Sequence, residues 1–322
     1  AVNSEIFVDK TEMIRYLNTV INTQQRYVSV SRPRRFGKTM AADMICAYYD
    51  READSRDMFE DSNLSRTEPF QRGKQELHWD SFLGKFDVIY LVMTDFINSD
   101  RNVDEGLKLI RERILEELSE EYPDVKYDPN DLFFSMDRFY RKSRTAFVII
   151  IDEWDAVFRE YKDDETGQTK YLDFLRDWMK GKSYIALAYM TGILPIKKYG
   201  EHSALNMFKE YSMTMMKPVS EFTGFTDDEV KTLCSQYDIS FEEMKSWYNG
   251  YVVDGVSVYN PNAVAEAVSR RQFSNYWSKT ETYEALRFYI KMNFKGLKDA
   301  VKELIAGQKI LVNVLKFTND MI

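Results

Sequence analysis

A short basic loop carries the residue types best suited to chemistry in this sequence. Residues 32–39 read RPRRFGKT and follow the β-branched and aromatic segment 27–30, which predicts a strand. The loop matches the phosphate-binding pattern GxxxxGK(S/T) except at the first glycine, where this chain has Arg32. In that pattern the second glycine admits phosphate oxygens to the backbone, the lysine supplies positive charge, and the hydroxyl can ligate Mg²⁺. We therefore predict a nucleotide-binding loop made of Arg34, Arg35, Phe36, Gly37, Lys38, Thr39 and Met40.

The same loop has two other interpretations. Four positive charges, Arg32, Arg34, Arg35 and Lys38, stand close together in an otherwise acidic chain. Such a concentration needs a nearby anion or acidic partner, so a nucleic acid competes with a nucleotide as the ligand. The loop is also compatible with an ordinary Gly-Lys-Thr turn at a helix start. A helix predicted over 39–49 favours phosphate, because the first N–H groups of a helix bind anions.

An apolar strand that ends in two carboxylates is the second chemical feature. Residues 147–151 read FVIII and are followed by Asp152 and Glu153, the arrangement of a Walker B motif. We predict that Asp152 holds Mg²⁺ together with Thr39. Glu153 is then placed to act as the general base that polarises an attacking water.

Two further residues have both structural and functional interpretations. Asp155 could cap the following helix, hold a basic partner or assist the metal site, and capping is the favoured interpretation. Thr191 ends the apolar strand 184–190 and precedes Gly192. We predict that Thr191 contacts the γ-phosphate or positions water, although Thr-Gly is also an ordinary turn pair.

The rest of the sequence alternates apolar strands with helical segments. Strands are predicted over 27–30, 88–92, 147–151 and 184–190, and helices over 39–49, 103–120, 132–142, 168–180, 226–236, 241–248, 262–269, 282–291 and 295–306. Unbroken apolar strands separated by helices predict an α/β fold with a parallel sheet sandwiched by helices. Residues 51–86 are interpreted as a helix end with an insertion or long loop. A mostly helical pattern with a hairpin over 252–259 begins after about residue 220, which predicts a core domain 1–220 and a second domain 221–322.

Composition narrows the class of protein. Of the 322 residues, 44% are hydrophobic, which is enough to build a core and excludes a globally disordered chain. The net charge of −8 argues against a general polyanion binder, so a nucleic-acid contact would need a local basic patch. Two cysteines and two histidines argue against a disulfide framework or a zinc cluster and predict a reducing, cytoplasmic location. No apolar run reaches the length of a membrane span, so no membrane association is predicted.

Several motifs occur together in an order that resembles a known family. They are residues 7–11 (FVDKT), 31–39 (SRPRRFGKT), 150–155 (IIDEWD), 191–194 (TGIL), 222–226 (FTGFT), 247–251 (WYNGY) and 259–261 (YNP). This set resembles the predicted AAA-ATPase-like family of bacterial and archaeal proteins, in which the first glycine of the loop is also often absent. The resemblance implies a P-loop NTPase fold with an additional strand, AAA- or STAND-like, and a mostly helical C-terminal lid. It also implies ATP or ADP as the bound nucleotide, with Mg²⁺.

The resemblance implies roles outside the two main motifs as well. Asp9 is expected to line the adenine side of the nucleotide, although it could equally cap a helix over 10–17. Arg270 or Arg271 could supply an arginine finger if the chain follows AAA logic. Many members of the family continue into a PD-(D/E)xK nuclease-like domain, but these residues contain no convincing nuclease pattern.

These observations predict Mg-dependent ATP binding and hydrolysis that drives a conformational switch, with Glu153, Lys38 and Thr191 in catalysis. The alternative is a nucleotide-dependent module that contacts a protein or nucleic acid and turns over little or no ATP. A degenerate loop that binds no nucleotide is a third interpretation. Turnover and nucleotide binding distinguish the three. The sequence identifies neither the partner nor the oligomeric state.

Overall fold

A parallel β-sheet carries the predicted site. The computed structural model describes residues 6–98, 100–196, 204–213, 217–253, 255–276 and 297–310. The strands are β1 (Tyr27–Ser31), β2 (Phe70–Arg72), β3 (Gln75–Leu77), β4 (Asp87–Val92), β5 (Phe147–Asp152), β6 (Ile185–Gly192), β7 (Lys209–Tyr211), β8 (Phe225–Thr226), β9 (Tyr251–Val253) and β10 (Val256–Tyr259). The helices are α1 (Glu12–Val20), α2 (Lys38–Tyr49), α3 (Arg56–Glu60), α4 (Met93–Phe96), α5 (Val103–Glu121), α6 (Leu132–Ser143), α7 (Ala156–Glu160), α8 (Glu165–Met179), α9 (Asp227–Tyr237), α10 (Phe241–Tyr248), α11 (Pro261–Arg270) and α12 (Leu297–Ile305).

Five strands form the main sheet in the order β4-β5-β6-β1-β7, and every neighbouring pair is parallel. β6 therefore lies between β1, which leads into the basic loop, and β5, which ends in the acidic pair. The carboxyl ends of parallel strands meet at one edge of the sheet, and ligands of open α/β sheets bind there. The predicted parallel α/β fold is confirmed. The inserted β6 agrees with the additional strand that the family resemblance implies.

Burial on both faces explains why the central strands are apolar throughout. Every residue of β5 and of β6 is buried. Ile149 and Ile151 belong to a core that includes residues of α5, α6 and α8, whereas Val148 and Ile150 belong to a core that includes residues of α1 and α2. This division follows from the strand geometry, in which successive side chains point to opposite faces. Helices thus cover both sides of the sheet.

Two short regions differ from the sequence prediction. β7 has the sequence KEY, contains no apolar run, and extends the sheet beside β1. Segment 51–86 contains α3, a 3₁₀ turn at Leu64–Arg66 and the antiparallel hairpin β2–β3, rather than only a loop. Elements this short contain too few residues to show the hydrophobic periodicity by which a helix or strand is recognised in a sequence.

The chain divides into two compact units, one of Ala1–Gly224 with Val253–Val256 and one of Phe225–Val252 with Ser257–Ile322. The described part of the second unit contains α9 to α12 and most of a small sheet in the order β8-β10-β9. The predicted helix cap at Thr226 is present, because its hydroxyl accepts the Glu229 N–H in a capping box. The helix predicted over 282–291 lies outside the described residues. Within the described ranges, no helix is both long enough and apolar enough to cross a bilayer.

Candidate active site

The loop between β1 and α2 turns on two residues with left-handed backbone conformations. The φ angle is +67° at Arg35 and +81° at Gly37. No described atom lies within 4 Å of the position that a Cβ on Gly37 would take, so the φ angle rather than crowding favours glycine. α2 begins directly afterwards at Lys38, and the first N–H groups of a helix have no intrahelical partner. The end of the loop therefore has the geometry of an anion-binding helix start.

Lys38 is buried at the start of α2, with 8% of its surface exposed. Its ammonium donates a hydrogen bond to the Pro33 carbonyl at 3.0 Å, which holds the side chain over the loop. Burial lowers the pKa of this ammonium, and the carboxylates of Asp152, Asp155 and Glu153 act to raise it. The loop cation and the acidic end of β5 therefore lie within electrostatic reach of each other.

A direct contact joins the two predicted motifs. The Thr39 hydroxyl donates a hydrogen bond of 2.5 Å to Asp152 Oδ2 across 113 residues of chain. Asp152 is 1% exposed, and its Oδ1 accepts the Glu153 N–H at 2.9 Å. Burial raises the pKa of Asp152, whereas these two hydrogen bonds lower it. The structure thus brings together the two residues that the sequence predicts as metal ligands.

The oxygen atoms of Thr39 and Asp152 fit Mg²⁺ chemically. Mg²⁺ prefers oxygen ligands and usually takes only one or two from protein side chains, because water and phosphate oxygens complete its shell. Among the residues described, no group of three or more His, Cys, Asp or Glu side chains is placed to hold a metal. Thr39 and Asp152 would supply the protein ligands of a cation at this edge, and water and phosphate oxygens would complete its coordination.

Glu153, the predicted general base, has a φ angle of +53°. Non-glycine residues rarely adopt this conformation, and those that do are concentrated at functional sites. Its side chain is 37% exposed, and Oε2 pairs with Arg159 Nη2 at 2.7 Å. Glu153 therefore lies beside Asp152, accessible to water, and is held by a cation that the sequence analysis did not select.

The predicted helix cap at Asp155 is wrong. Asp155 directly precedes α7, but its carboxylate makes no cap hydrogen bond. Oδ2 instead accepts the N–H groups of Ile193 and Leu194 at 3.2 and 3.0 Å, and lies 3.5 Å from Arg159 Nε. A fully buried carboxylate requires such donors, so these long-range contacts prevail over the local helix end. The spacing of four residues between Asp155 and Arg159 is the sequence signal for this pair.

Thr191 lies at the carboxyl end of β6, between β1 and β5. Its side chain is fully buried, and its hydroxyl donates to the Val30 carbonyl at 3.0 Å. A threonine hydroxyl has one O–H to donate, so this bond competes with donation to a phosphate. The Thr191 carbonyl accepts the Trp154 N–H at 3.1 Å. These contacts join β6 to its neighbours, and the proposed role at the γ-phosphate stays a prediction.

Gly192 follows at a point where a side chain would not fit. A Cβ there would lie 2.5 Å from Asp155 Oδ1 and 2.6 Å from Trp154 Cδ1. Contacts this short do not occur for real side chains, so the neighbours would have to move. Glycine at the end of β6 therefore allows the strand to pack closely against the segment that follows β5.

Arg32, which replaces the first glycine of the loop pattern, is fully buried. Its Nε donates to the Thr223 hydroxyl at 2.7 Å, and its Nη1 donates to the carbonyls of Ser31 and Tyr211 at 2.8 and 2.7 Å. Burial lowers the pKa of Arg32 to about 10, so the guanidinium remains charged at neutral pH. These contacts tie the end of β1 to β7 and to residues 222–224, so Arg32 has a structural role in the fold. That the four loop charges together need a nearby anion or acidic partner stays a prediction.

The other loop residues divide into a buried and an exposed set. Phe36 is buried, and its carbonyl accepts the Gly224 N–H at 3.3 Å. With the contact between Arg32 and Thr223, this bond gives residues 222–224 a role in supporting the loop, which sequence reasoning missed. Arg34 is half-buried, whereas Arg35 and Met40 are exposed.

Asp9 uses both carboxylate oxygens on nearby backbone and side-chain groups. Oδ1 accepts the N–H and the hydroxyl of Thr11 at 2.8 and 2.7 Å, and Oδ2 accepts the Asn63 N–H at 2.6 Å. The N-cap residue of α1 is Thr11, and no side-chain cap hydrogen bond is formed there. The interpretation of Asp9 as a helix cap is therefore wrong, and its role beside adenine stays a prediction.

Comparison with known proteins places this chain in a family. A protein described as uncharacterized, from the vnfD 5' region of Azotobacter chroococcum mcd 1, is 24% identical over 294 residues, which are 86% of this chain and 51% of that protein. The chain thus spans about half the length of this curated relative. A solved Walker-type ATPase of Pyrococcus abyssi is 10% identical, with a TM-score of 0.39 over 92% of this chain and 74% of its own. The model of the family described as Predicted AAA-ATPase matches residues 2–200, which include the loop, the acidic end of β5 and β6. The chain belongs to this predicted AAA-ATPase family.

Proposed function

We propose that this chain binds ATP with Mg²⁺ at residues 34–40 and hydrolyses it to ADP and phosphate. The observation that carries the proposal is the 2.5 Å hydrogen bond between the Thr39 hydroxyl and Asp152. It brings the start of α2 to the buried acid of β5, and this is the pairing that holds a phosphate-bound Mg²⁺ in P-loop enzymes. Membership in the predicted AAA-ATPase family supports the same activity.

The charges at this edge of the sheet suit a polyphosphate. The free N–H groups at the start of α2 and the Lys38 ammonium bind phosphate oxygens. Thr39 and Asp152 hold Mg²⁺, which neutralises charge on the phosphate oxygens when it is bound. The Lys38 ammonium lies within the loop, where it donates to the Pro33 carbonyl, and close to the carboxylates of the β5 end, so its position suits a phosphate bound there.

Glu153 supplies the base for hydrolysis. Its carboxylate accepts a proton from the attacking water as the water oxygen bonds to the γ-phosphorus. The bond between that phosphorus and the bridging oxygen breaks, and the bridging oxygen leaves with the electron pair as part of ADP. A carboxylate that is partly exposed beside the Mg²⁺ ligand Asp152 suits this role, because water can reach it.

One observation favours a second candidate, a nucleotide-dependent switch with little turnover. The Glu153 carboxylate is already paired with Arg159 at 2.7 Å, and a base held in an ion pair could be withheld from water. In that case bound nucleotide would change the contact that the chain makes with a protein or nucleic-acid partner, without rapid hydrolysis. Turnover separates the two candidates.

The test is Mg-dependent ATP and GTP turnover by the purified chain and by a Glu153→Gln variant, with nucleotide affinity measured for both. Removal of a general base typically slows a reaction by roughly 100- to 10,000-fold, so we expect a loss of that size in turnover. Nucleotide affinity should change little, since glutamine keeps the size of the side chain and the phosphate-binding residues remain.

The outcomes distinguish the candidates. Undiminished hydrolysis by Glu153→Gln would show that Glu153 is not the base. Binding without turnover by the unaltered chain would favour the switch. No binding of Mg-ATP or Mg-GTP to the unaltered chain would contradict both candidates.

A further inference from the structure

The Arg159 side chain contacts two acids of the segment that follows β5. Its Nη2 lies 2.7 Å from Glu153 Oε2, and its Nε lies 3.5 Å from Asp155 Oδ2. The Asp155 side chain is fully buried, that of Arg159 is 19% exposed and that of Glu153 is 37% exposed, so the arginine links a buried acid to a partly exposed one. The proposed chemistry assigns a role to Glu153 but none to Arg159, and this cation is therefore an unexplained part of the site.

Asp155 anchors the arginine to the sheet. It is fully buried, and its Oδ2 is held by the backbone N–H groups of Ile193 and Leu194, directly after β6. α7, which carries Arg159, buries Ala156, Val157 and Phe158. The guanidinium therefore extends from a packed helix and lies within ion-pair distance of a fixed carboxylate, which limits the positions it can take.

Glu153 needs such support, because its side chain is more exposed than those of its neighbours and its backbone is unusual. At a φ angle of +53° the residue occupies a conformation that persists only where surrounding contacts maintain it. On one side the Glu153 N–H donates to Asp152 Oδ1 at 2.9 Å, and on the other side the N–H of the next residue, Trp154, donates to the Thr191 carbonyl at 3.1 Å. The backbone is thus fixed on both sides, while the partly exposed side chain would otherwise sample several rotamers.

The ion pair uses one of the two carboxylate oxygens. Oε2 of Glu153 accepts from Arg159, and within the described part of the chain Oε1 has no hydrogen-bond partner. An ionised carboxylate accepts hydrogen bonds at both oxygens. The pair therefore fixes the direction of the side chain and leaves an acceptor for water, which is the arrangement that a positioned base requires.

We propose that Arg159, held by Asp155, is a positioning residue that aims the Glu153 carboxylate at the attacking water. This inference rests on the proposed ATP hydrolysis. Correct orientation of a catalytic group accounts for a large share of enzymatic rate, and small displacements are costly. Arg159 acts on Glu153, not on the nucleotide, so its removal should affect the chemical step and spare binding.

The experiment compares turnover and Mg-ATP affinity for the full chain with Arg159→Ala and Arg159→Lys. We expect Arg159→Ala to lower kcat roughly 10- to 100-fold, the cost of a misplaced catalytic group, and to leave the dissociation constant of Mg-ATP within about twofold. Arg159→Lys should recover part of kcat, since an ammonium can still pair with Glu153. Arg176→Ala is the matched control, because Arg176 pairs with Asp173 and Asp177 on α8 and its removal deletes the same charge.

A second arm repeats Arg159→Ala in the Glu153→Gln background, with single turnovers followed over hours. If Arg159 acts through Glu153, the double variant is no slower than Glu153→Gln alone, since coupled residues are not additive. Arg159→Gln keeps a polar side chain and replaces the alanine variant if that one fails to fold.

Four results would overturn the proposal, and the first is normal turnover by Arg159→Ala. Faster turnover by Arg159→Ala would make the ion pair an inhibitory clamp. An equal further loss in the Glu153→Gln background, or a loss confined to Mg-ATP affinity, would show that Arg159 acts independently of Glu153. Absence of turnover by the unaltered chain would instead contradict the proposed hydrolysis itself. That result is distinct from equal turnover by the unaltered chain and by Arg159→Ala, which contradicts only the positioning role of Arg159.

Discussion

The two ends of the loop between β1 and α2 differ in what their cations contact. At the carboxyl end, Lys38 lies near the carboxylates of the β5 end, and Thr39 bonds directly to Asp152. At the amino end, Arg32 is buried and donates to Thr223 and to two backbone carbonyls. We propose that the first of these ends meets a ligand, whereas the second is built into the fold.

This difference explains how the loop can lack the first glycine of its pattern. A glycine there would leave the backbone free, whereas Arg32 fixes the same point through three hydrogen bonds to β7, Ser31 and residues 222–224. Gly37 remains, because its φ angle of +81° suits only glycine well. A motif residue can therefore be replaced where hydrogen bonds of the new side chain fix the backbone at that point.

The largest expected effect is on nucleotide binding by Lys38→Ala. Loss of a charge-assisted contact to phosphate costs about 3 kcal/mol, which is roughly a 100-fold rise in the dissociation constant. Calorimetric titration with Mg-ATP measures it. Lys74→Ala removes the same charge from the exposed turn of the β2–β3 hairpin and should leave affinity unchanged. Equal affinities for Lys38→Ala and the unaltered chain would contradict the proposal that the carboxyl end of the loop binds the ligand.

The next effect is on stability, from Arg32→Gly, which restores the glycine of the pattern. We expect a loss of about 3 kcal/mol, because the change leaves a cavity and removes the buried partner of the Thr223 hydroxyl and the Tyr211 carbonyl. The melting temperature should fall by roughly 6–12 °C. Arg35→Gly is the control, since Arg35 is exposed and its φ angle of +67° accommodates glycine. An unchanged melting temperature for Arg32→Gly would contradict the structural role.

A smaller effect is expected at the end of β6 from Gly192→Ala. The new Cβ would lie 2.5–2.6 Å from Asp155 and Trp154, and such crowding typically costs about 1–3 kcal/mol. Denaturant unfolding measures the loss. Gly250→Ala serves as the control, because no described atom lies within 4 Å of its Cβ position. Equal stability of the two variants would show that the packing of β6 against the β5 end is looser than these distances indicate.

Much of the fold could be predicted because its signals are local. β4, β5 and β6 contain apolar runs between helical segments, β1 is rich in β-branched and aromatic residues, and the capping box at Thr226 is a four-residue pattern. β7 could not be predicted, since the sequence KEY is an edge strand whose identity comes from pairing with β1. Local pattern thus identifies the elements of the sheet but not its last strand.

Contacts of the candidate site were predictable where both residues belong to recognisable motifs, and not where a partner lies outside any motif. The contact of Thr39 with Asp152 follows from two motifs at the same edge of a parallel sheet. Arg32 meets Thr223 across 191 residues, and no local pattern identifies that partner. Asp155 followed the local rule for a helix start in the sequence, yet it binds backbone N–H groups 38 and 39 residues away.

The most direct measurement is thermal unfolding of the unaltered chain, Lys38→Ala and Arg32→Gly, each with and without saturating Mg-ATP. A ligand at 100 times its dissociation constant stabilises the folded state by about 2.7 kcal/mol. We predict that Lys38→Ala unfolds near the temperature of the unaltered chain and gains almost nothing from Mg-ATP, whereas Arg32→Gly unfolds earlier and still gains. The same Mg-ATP shift in Lys38→Ala as in the unaltered chain would contradict nucleotide binding at this loop.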